Sequence, residues 1–154
     1  MKQTTFAGLA YNAKKKRTRR EQFLIEMEAV MPWVRLLALV KPQYPVAGQD
    51  RWPLGCERML RIYFMQQWFN LSDTGAEDAL YDSESMRRFA GLELGEDAIP
   101  DESSMLGFRH LLERHALTER LFGEVRALLK ECRLPLKAGT IVDYATIINA
   151  PSST

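Results

Sequence analysis

Cysteine is scarce in this sequence: its 154 residues include two, Cys56 and Cys132. They lie far apart, and each falls within a helical pattern of apolar residues. A disulfide framework needs several cysteines and a structural zinc site needs clustered ligands, so the spacing disfavours both. We therefore expect two reduced, buried thiols in an intracellular protein, with a disulfide between them as the alternative.

Long apolar runs and catalytic signatures are also missing. No run approaches the ~20 apolar residues that span a bilayer, and residues 1–13 lack the continuous apolar core of a signal peptide. The sequence has no glycine-rich phosphate loop, no nucleophile elbow and no Cys-x-x-Cys motif. His110 and His115 are five positions apart, so they do not share a helix face as a metal-binding pair would. These absences predict a cytoplasmic protein with no membrane partner and no self-contained active site.

Charge is present in both signs but is unevenly distributed. The net charge is only +1. Residues 1–20 nevertheless contain no acid and seven basic residues, namely Lys2, Lys14, Lys15, Lys16, Arg17, Arg19 and Arg20. Residues 72–102 are strongly acidic, with Arg87 and Arg88 as their only basic residues. We interpret residues 1–20 as a flexible basic arm that binds nucleic-acid phosphates, and a solvated tail is the alternative.

The rest of the pattern is mainly helical. Hydrophobic residues make up 46% of the sequence, enough to form a core, and residues 21–135 are predicted to form a helical domain. Thr18 and Glu21 form a capping box that starts a helix, which Pro32 should kink or split. The apolar stripe of this helix is Phe23, Met27, Val30, Val34 and Leu37. A second helix, residues 54–69, is apolar on nearly all sides and should be the central one.

Shorter helices follow residue 72. Thr74 is predicted to cap one helix, and Ser83 begins another that Gly91 ends. Asp101 is predicted to cap a helix that buries Met105, Phe108, Leu111, Leu112 and His115. Thr118 should cap a final helix with Leu121, Val125, Leu128 and Cys132 on one face. The last two helices would form a hairpin joined near residues 116–117.

Part of this region is compatible with a helix-turn-helix variant. In that interpretation the two short helices and the Asp101 helix contact DNA, with Ser103, Ser104, Arg109 and Arg114 reaching it. The alternative is that they are ordinary bundle helices. The neighbouring acidic loop argues against close phosphate contact at that point.

Residues 139–154 differ from everything before them, because β-branched and aromatic residues are concentrated between Gly139 and Pro151. One carboxylate, Asp143, lies inside this apolar run, where an uncompensated charge is costly to bury. A strand carboxylate of this kind is a potential Mg²⁺ ligand in a two-metal site for phosphoryl transfer. One carboxylate cannot complete such a site, and a structural or incidental role is the alternative.

Several motifs resemble those of bacterial insertion-sequence transposases of the DDE class, in the group called "IS five". They include Arg58-Met59-Leu60-Arg61, Ile99-Pro100-Asp101-Glu102, Phe108-Arg109-His110-Leu111-Leu112-Glu113 and Gly139-Thr140-Ile141-Val142-Asp143. The resemblance covers essentially the whole chain. It implies a helical N-terminal domain that binds the terminal inverted repeats, followed by an RNase-H-like domain whose three acids hold Mg²⁺. Asp143 matches the first of these acids, and residues 139–154 would be the first strand of that domain.

Two departures from the family pattern limit what the resemblance implies. Tyr144 separates Asp143 from the Ala-Thr that follows the aspartate directly in the family, and one extra strand residue reverses the facing of later side chains unless a bulge absorbs it. The sequence also stops at Thr154, before counterparts of the second and third acids. We therefore expect a catalytically incomplete chain, with no Mg²⁺ bound to this part alone.

Three hypotheses follow from the sequence. The chain is the DNA-binding N-terminal portion of such a transposase, with double-stranded terminal repeats as its partner in the bacterial cytoplasm, at the nucleoid. Alternatively, it is a dimerisation module that pairs with itself or inhibits full-length transposase. The third hypothesis is a decayed remnant without activity.

Overall fold

The computed structural model describes residues 6–45 and 54–132, and within them the fold is mainly α, as the sequence predicts. The only extended pairing among these residues is an isolated bridge between Leu94 and Asp97. A 3-10 turn, Lys41–Gln43, follows the third helix. The α-helices are α1 (Phe6–Ala13), α2 (Arg19–Val30), α3 (Trp33–Val40), α4 (Cys56–Phe69), α5 (Asp73–Asp82), α6 (Glu84–Ala90), α7 (Glu102–Arg114) and α8 (Leu117–Cys132).

The α4 helix is the centre of the bundle. It packs against α3, α5, α6 and α7, which explains why apolar residues surround it on nearly all sides. Phe64 has no exposed surface, and its ring lies 5.4 Å from that of Phe122 and 5.6 Å from that of Trp68, centroid to centroid. Burial of one such side chain stabilises the fold by about 2 to 3 kcal/mol. The prediction of a central second helix is confirmed.

The predicted break at Pro32 is present and changes which residues face the core. The α2 helix ends at Val30, and Pro32, which has no N–H to donate, precedes the first turn of α3. The predicted stripe continued unbroken to Val34, but Val34 is 84% exposed. Leu36 and Val40 are buried instead. The expectation for Val34 was wrong because the break resets the helical phase between α2 and α3.

Three predicted caps are confirmed by their hydrogen bonds. The side chains of Thr18, Ser83 and Asp101 accept from backbone N–H groups three residues later, at 3.1, 3.3 and 2.8 Å respectively. Gly91 ends α6 with a φ of +79°, a left-handed conformation that glycine adopts without a side-chain penalty.

Two other predicted caps were wrong. Ser72, not Thr74, caps α5 by accepting from the Gly75 N–H at 2.9 Å, and the Thr74 hydroxyl donates to Glu102 instead. Thr118 lies inside α8, which begins at Leu117. In both places neighbouring residues offer alternative starting points, so the sequence pattern leaves the first helical residue open by one or two positions. The hairpin of α7 and α8 turns at His115 and Ala116, close to the predicted position, but His115 is exposed rather than inward.

The N-terminal segment departs from the sequence-based expectation. Residues 6–13 form α1, although their sequence shows no clear helical periodicity. Residues 133–154 lie outside the described residues, and with them the predicted strand, Asp143 and Tyr144. None of the helices described here is long and apolar enough to cross a membrane.

Candidate nucleic-acid interface

Residues 14–20, here called the basic loop, connect α1 to α2 and include the first residues of α2. All seven residues are exposed, although only 30% of the Lys14 side chain is accessible. The side chains of Lys15, Lys16 and Arg19 make no hydrogen bond or ion pair with any described residue. Arg17 donates to Gln22 at 3.2 Å, and the Arg20 guanidinium lies 5.5 Å from the centroid of the Phe69 ring. The loop therefore presents unneutralised cations to solvent, which suits contact with phosphates.

A polar cluster attaches both ends of this loop to the bundle. The Tyr11 ring at the end of α1 lies between two cations, with Lys14 Nζ at 4.4 Å and the Arg88 guanidinium carbon at 4.2 Å from its centroid. Arg88, on α6, also donates to Asn12 Oδ1 at 2.7 Å and to the carbonyl of Gly8 at 3.1 Å. Lys14 pairs with Glu21, in the first turn of α2. We call Tyr11, Asn12, Lys14, Glu21 and Arg88 the anchor cluster.

The ionisation of the anchor cluster follows from these contacts. Burial alone would raise the pKa of the Glu21 carboxyl, but hydrogen bonds from Lys14 and Tyr11 outweigh it and hold the pKa below its ordinary value. Burial, together with the hydrogen bond to Glu21, raises the pKa of Tyr11 to about 12. At neutral pH the cluster thus contains an anionic Glu21 and a neutral Tyr11.

The predicted contact residues on α7 lie in two different environments. Arg109 forms a bidentate ion pair with Asp73 of α5, at 2.7 and 2.8 Å. Gln66 of α4, which is buried, donates to the same carboxylate at 2.9 Å. Arg114 is exposed in the last turn of α7 and makes no ion pair with the described residues. The structure therefore leaves Arg114 accessible, whereas Arg109 is engaged within the bundle.

The Arg109 contact lowers the pKa of Asp73, with the hydrogen bonds from Arg109 as the largest cause and that from Gln66 as a further one. The side chains of Arg109 and Asp73 are 24% and 19% exposed. The pair joins α5 to α7 and thereby sets how α7 lies against the bundle. The sequence showed both residues but gave no sign that they meet.

A groove of about 560 Å³ lies beside the basic loop, between α2, α4 and α6. Its lining includes Arg58, Arg61 and Arg88, but each of them already has an acidic partner. Arg58 pairs with Asp97 at 3.1 Å, for example. The charges in the groove are therefore largely compensated. The loop, rather than the groove, holds the cations that are free to meet phosphates.

Arg87 has a structural role that the sequence pattern did not predict. It is buried, and its guanidinium donates to the carbonyls of Leu80 and Tyr81 at 2.8 and 2.7 Å and to Glu84 at 2.7 Å. Those carbonyls belong to the last turn of α5, where a cation is favourable. An arginine four residues after a helix-capping serine was the only available signal.

The described residues contain no group of three or more His, Cys, Asp or Glu side chains arranged to hold a metal ion. Asp143, the predicted Mg²⁺ ligand and catalytic acid, lies outside them. Cys56 is buried and free, and burial raises the pKa of its thiol to about 11, so the thiol is protonated at neutral pH. It therefore belongs to the hydrophobic core of the bundle.

A family model described as "Transposase domain (DUF772)" matches residues 11–111, about two thirds of the chain. The matched segment begins at Tyr11 of the anchor cluster and ends in α7, so it includes the basic loop and the Asp73–Arg109 pair. No solved structure matches the chain.

Proposed function

This chain belongs to the transposase domain family, and on that premise we propose that it is a DNA-binding N-terminal portion of an insertion-sequence transposase. The motifs described above favour the DDE class and the group called "IS five". Its proposed partner is the double-stranded terminal inverted repeat of the element. The proposed site of action is the bacterial cytoplasm, in association with the nucleoid.

The observation that carries this proposal is the basic loop. Lys15, Lys16 and Arg19 are exposed and make no ion pair with the described residues, so binding a phosphate does not require them to leave an acidic partner. Such contacts release counterions and make binding salt-dependent, but they do not read sequence. Recognition of a particular end therefore needs a second element.

The proposed second element is α7, in a helix-turn-helix arrangement with the short helices before it. Ser103 and Arg114 are exposed on α7, and Arg114 makes no ion pair with the described residues. Arg109 could contact DNA only by giving up its bidentate pair with Asp73. We therefore propose Arg114 as the leading α7 contact and treat Arg109 as a contact only in a rearranged state.

Catalysis is a separate proposal. By resemblance, Asp143 would be the first of three acids that hold Mg²⁺ for strand cleavage and transfer. One carboxylate cannot complete a two-metal site, so strand transfer is proposed for the complete set of acids and not for Asp143 alone.

The test is fluorescence-anisotropy binding to a terminal-repeat duplex and to a scrambled duplex, at two salt concentrations. The triple variant Lys15→Ala/Lys16→Ala/Arg19→Ala should bind both duplexes about a hundredfold more weakly, at about 1 kcal/mol per lost contact. The slope of log K against log salt, which is negative, should become shallower by about 2.7 because three phosphate contacts are lost. The matched control is Arg120→Ala/Arg126→Ala/Lys130→Ala on α8, which removes the same charge from exposed positions elsewhere.

Equal losses in the two triple variants would show that net charge, not the loop, drives binding. Absence of binding by the wild-type chain at moderate salt would overturn the proposal. Tighter binding to the repeat than to the scrambled duplex would support recognition of element ends.

Self-association is a second candidate function, and its basis in the structure is not the apolar surface of α4. The apolar coverage of α4 is used within the bundle. Phe6 and Leu9, one turn apart on α1, are instead 92% and 54% exposed. A dimer or a complex with full-length transposase could use this face. Sedimentation of the wild-type chain and of Phe6→Ser/Leu9→Ser tests this candidate function. If the wild-type chain is a monomer at high micromolar concentration, self-association is ruled out.

A further inference from the structure

We infer that Tyr11, Glu21 and Arg88 are positioning residues, which hold the basic loop in the conformation that binds DNA. This inference rests on the proposed DNA-binding function but concerns residues that need not touch DNA. The inference is drawn from the anchor cluster, which spans the loop from α1 to α2 and connects it to α6.

The loop is held at both of its ends. At the start of α2, the Thr18 hydroxyl accepts from the Glu21 N–H at 3.1 Å. At the end of α1, Arg88 reaches across from α6 to Asn12 and to the carbonyl of Gly8. The Lys14 ammonium, just after α1, pairs with the Glu21 carboxylate in the first turn of α2, and the Tyr11 side chain interacts with the same carboxylate, so one carboxylate joins the two ends.

Among the described residues, α1 makes few contacts other than these with the rest of the bundle. It is eight residues long, which is too short to be stable alone in water. Phe6 and Leu9 point away from the core. Among the α1 residues whose burial is described, Gly8 is the only buried one. Polar contacts to Arg88 and Glu21 therefore supply most of its attachment to the described bundle.

Holding the loop in place matters for affinity. A flexible chain must be ordered when it binds, and that ordering opposes association, whereas a preorganised loop has less freedom to lose. Lys15, Lys16 and Arg19 lie between the two anchored ends, so the anchor cluster restricts their backbone. A loop released at one end would keep its charges and lose their arrangement.

Glu21 gives the sharpest test, because two explanations predict opposite signs. If Glu21 acts only as a charge, then Glu21→Gln removes an anion beside the loop and DNA binding becomes tighter. If Glu21 positions the loop, the same change weakens binding, by about fivefold. The matched control is Glu119→Gln on α8, which makes the same change in net charge at an exposed position.

Tyr11 provides a second variant that changes no charge. Tyr11→Leu should weaken binding about fivefold and leave the salt slope unchanged, because the same phosphates are contacted once the complex has formed. Tyr11→Phe keeps the ring between its two cations and loses only the hydroxyl, so it should recover part of the affinity. Arg88→Lys keeps the charge but loses the forked contacts, and should resemble Tyr11→Leu.

Trypsin cleavage after Lys15, Lys16 and Arg17 reports on the loop without DNA. Cleavage should be faster in Tyr11→Leu and Glu21→Gln than in the wild-type chain and the Glu119→Gln control, while far-ultraviolet circular dichroism stays the same. Wild-type affinity in both variants, or tighter binding by Glu21→Gln, would overturn the inference. If the wild-type chain binds no DNA, the proposed function fails, and equal cleavage rates would then overturn the positioning of the loop as well.

Discussion

The basic loop and the contact between α5 and α7 hold similar charged side chains in opposite environments. In the loop, Lys15, Lys16 and Arg19 are exposed and make no ion pair with the described residues. On α7, Arg109 is a quarter exposed and bound by two hydrogen bonds to Asp73. The first arrangement leaves positive charge available to a partner, and the second uses it to fix one helix against another.

The comparison shows that residue type alone does not identify a DNA contact. An exposed cation is screened by water and can exchange its counterions for phosphates. A cation held bidentately beside a buried glutamine must first lose those bonds, and the carboxylate it leaves would be unpaired. Burial and partner therefore separate the two sets of residues, which the sequence had grouped together as DNA contacts.

The largest expected effect is on stability, and it tests the contact between Asp73 and Arg109. Asp73→Asn should lower the free energy of unfolding by about 2 kcal/mol, because Arg109 and Gln66 lose their shared carboxylate, with part of the cost relieved by solvent. Urea denaturation measures it. Asp78→Asn, at an exposed position of the same helix, is the control and should change stability by less than about 0.5 kcal/mol.

Adding Arg109→Met to Asp73→Asn sharpens this test. The double variant should lose less stability than the two single variants combined, since removing both partners leaves no unpaired charge. Strictly additive losses would mean that the two residues contribute independently, and that the Asp73–Arg109 pair does not join α5 to α7.

The pH dependence of stability should also show the contribution of the Asp73–Arg109 pair, with a smaller change in the free energy of unfolding. Arg109 holds the folded-state pKa of Asp73 below its unfolded value, so the pair stabilises the fold above about pH 4. This contribution is lost as the pH falls through the lower folded-state pKa. As the pH is lowered from about 7 to about 2, the urea midpoint should therefore fall more steeply in the wild-type chain than in Asp73→Asn. Parallel curves would contradict the assignment.

The smallest effect tests the exposed side of α7. Arg114→Ala should weaken binding to the terminal-repeat duplex about fivefold, near 1 kcal/mol, and leave stability unchanged, since Arg114 makes no ion pair with the described residues. Arg109→Lys should instead lower stability and affect binding mainly through the orientation of α7. If Arg109→Lys lost affinity at unchanged stability, Arg109 would be a direct contact and the comparison would break down.

Local chemistry explains which sequence-based predictions were confirmed. The caps at Thr18, Ser83 and Asp101, and the end of α6 at Gly91, depend on residues within one turn of each other. The central position of α4 follows from its apolar residues alone. These features need no knowledge of distant parts of the chain, so the sequence was sufficient for them.

The incorrect predictions share a different cause. Val34 was assigned to the core because the phase change at Pro32 cannot be measured from periodicity. The environment of Arg109 depends on Asp73, a contact between separate helices. The charges of the basic loop were visible in the sequence, but its attachment was not, because Tyr11 and Arg88 are far apart along the chain.

The sequence by itself determined the helical class, the split at Pro32, the central α4 and the concentration of positive charge before α2. It did so because apolar periodicity, capping chemistry and charge are properties of neighbouring residues. Only the tertiary structure decided which arginines face solvent, which are paired, and how α1 attaches to the bundle. Those outcomes depend on burial and on partners from distant helices, which no local pattern encodes.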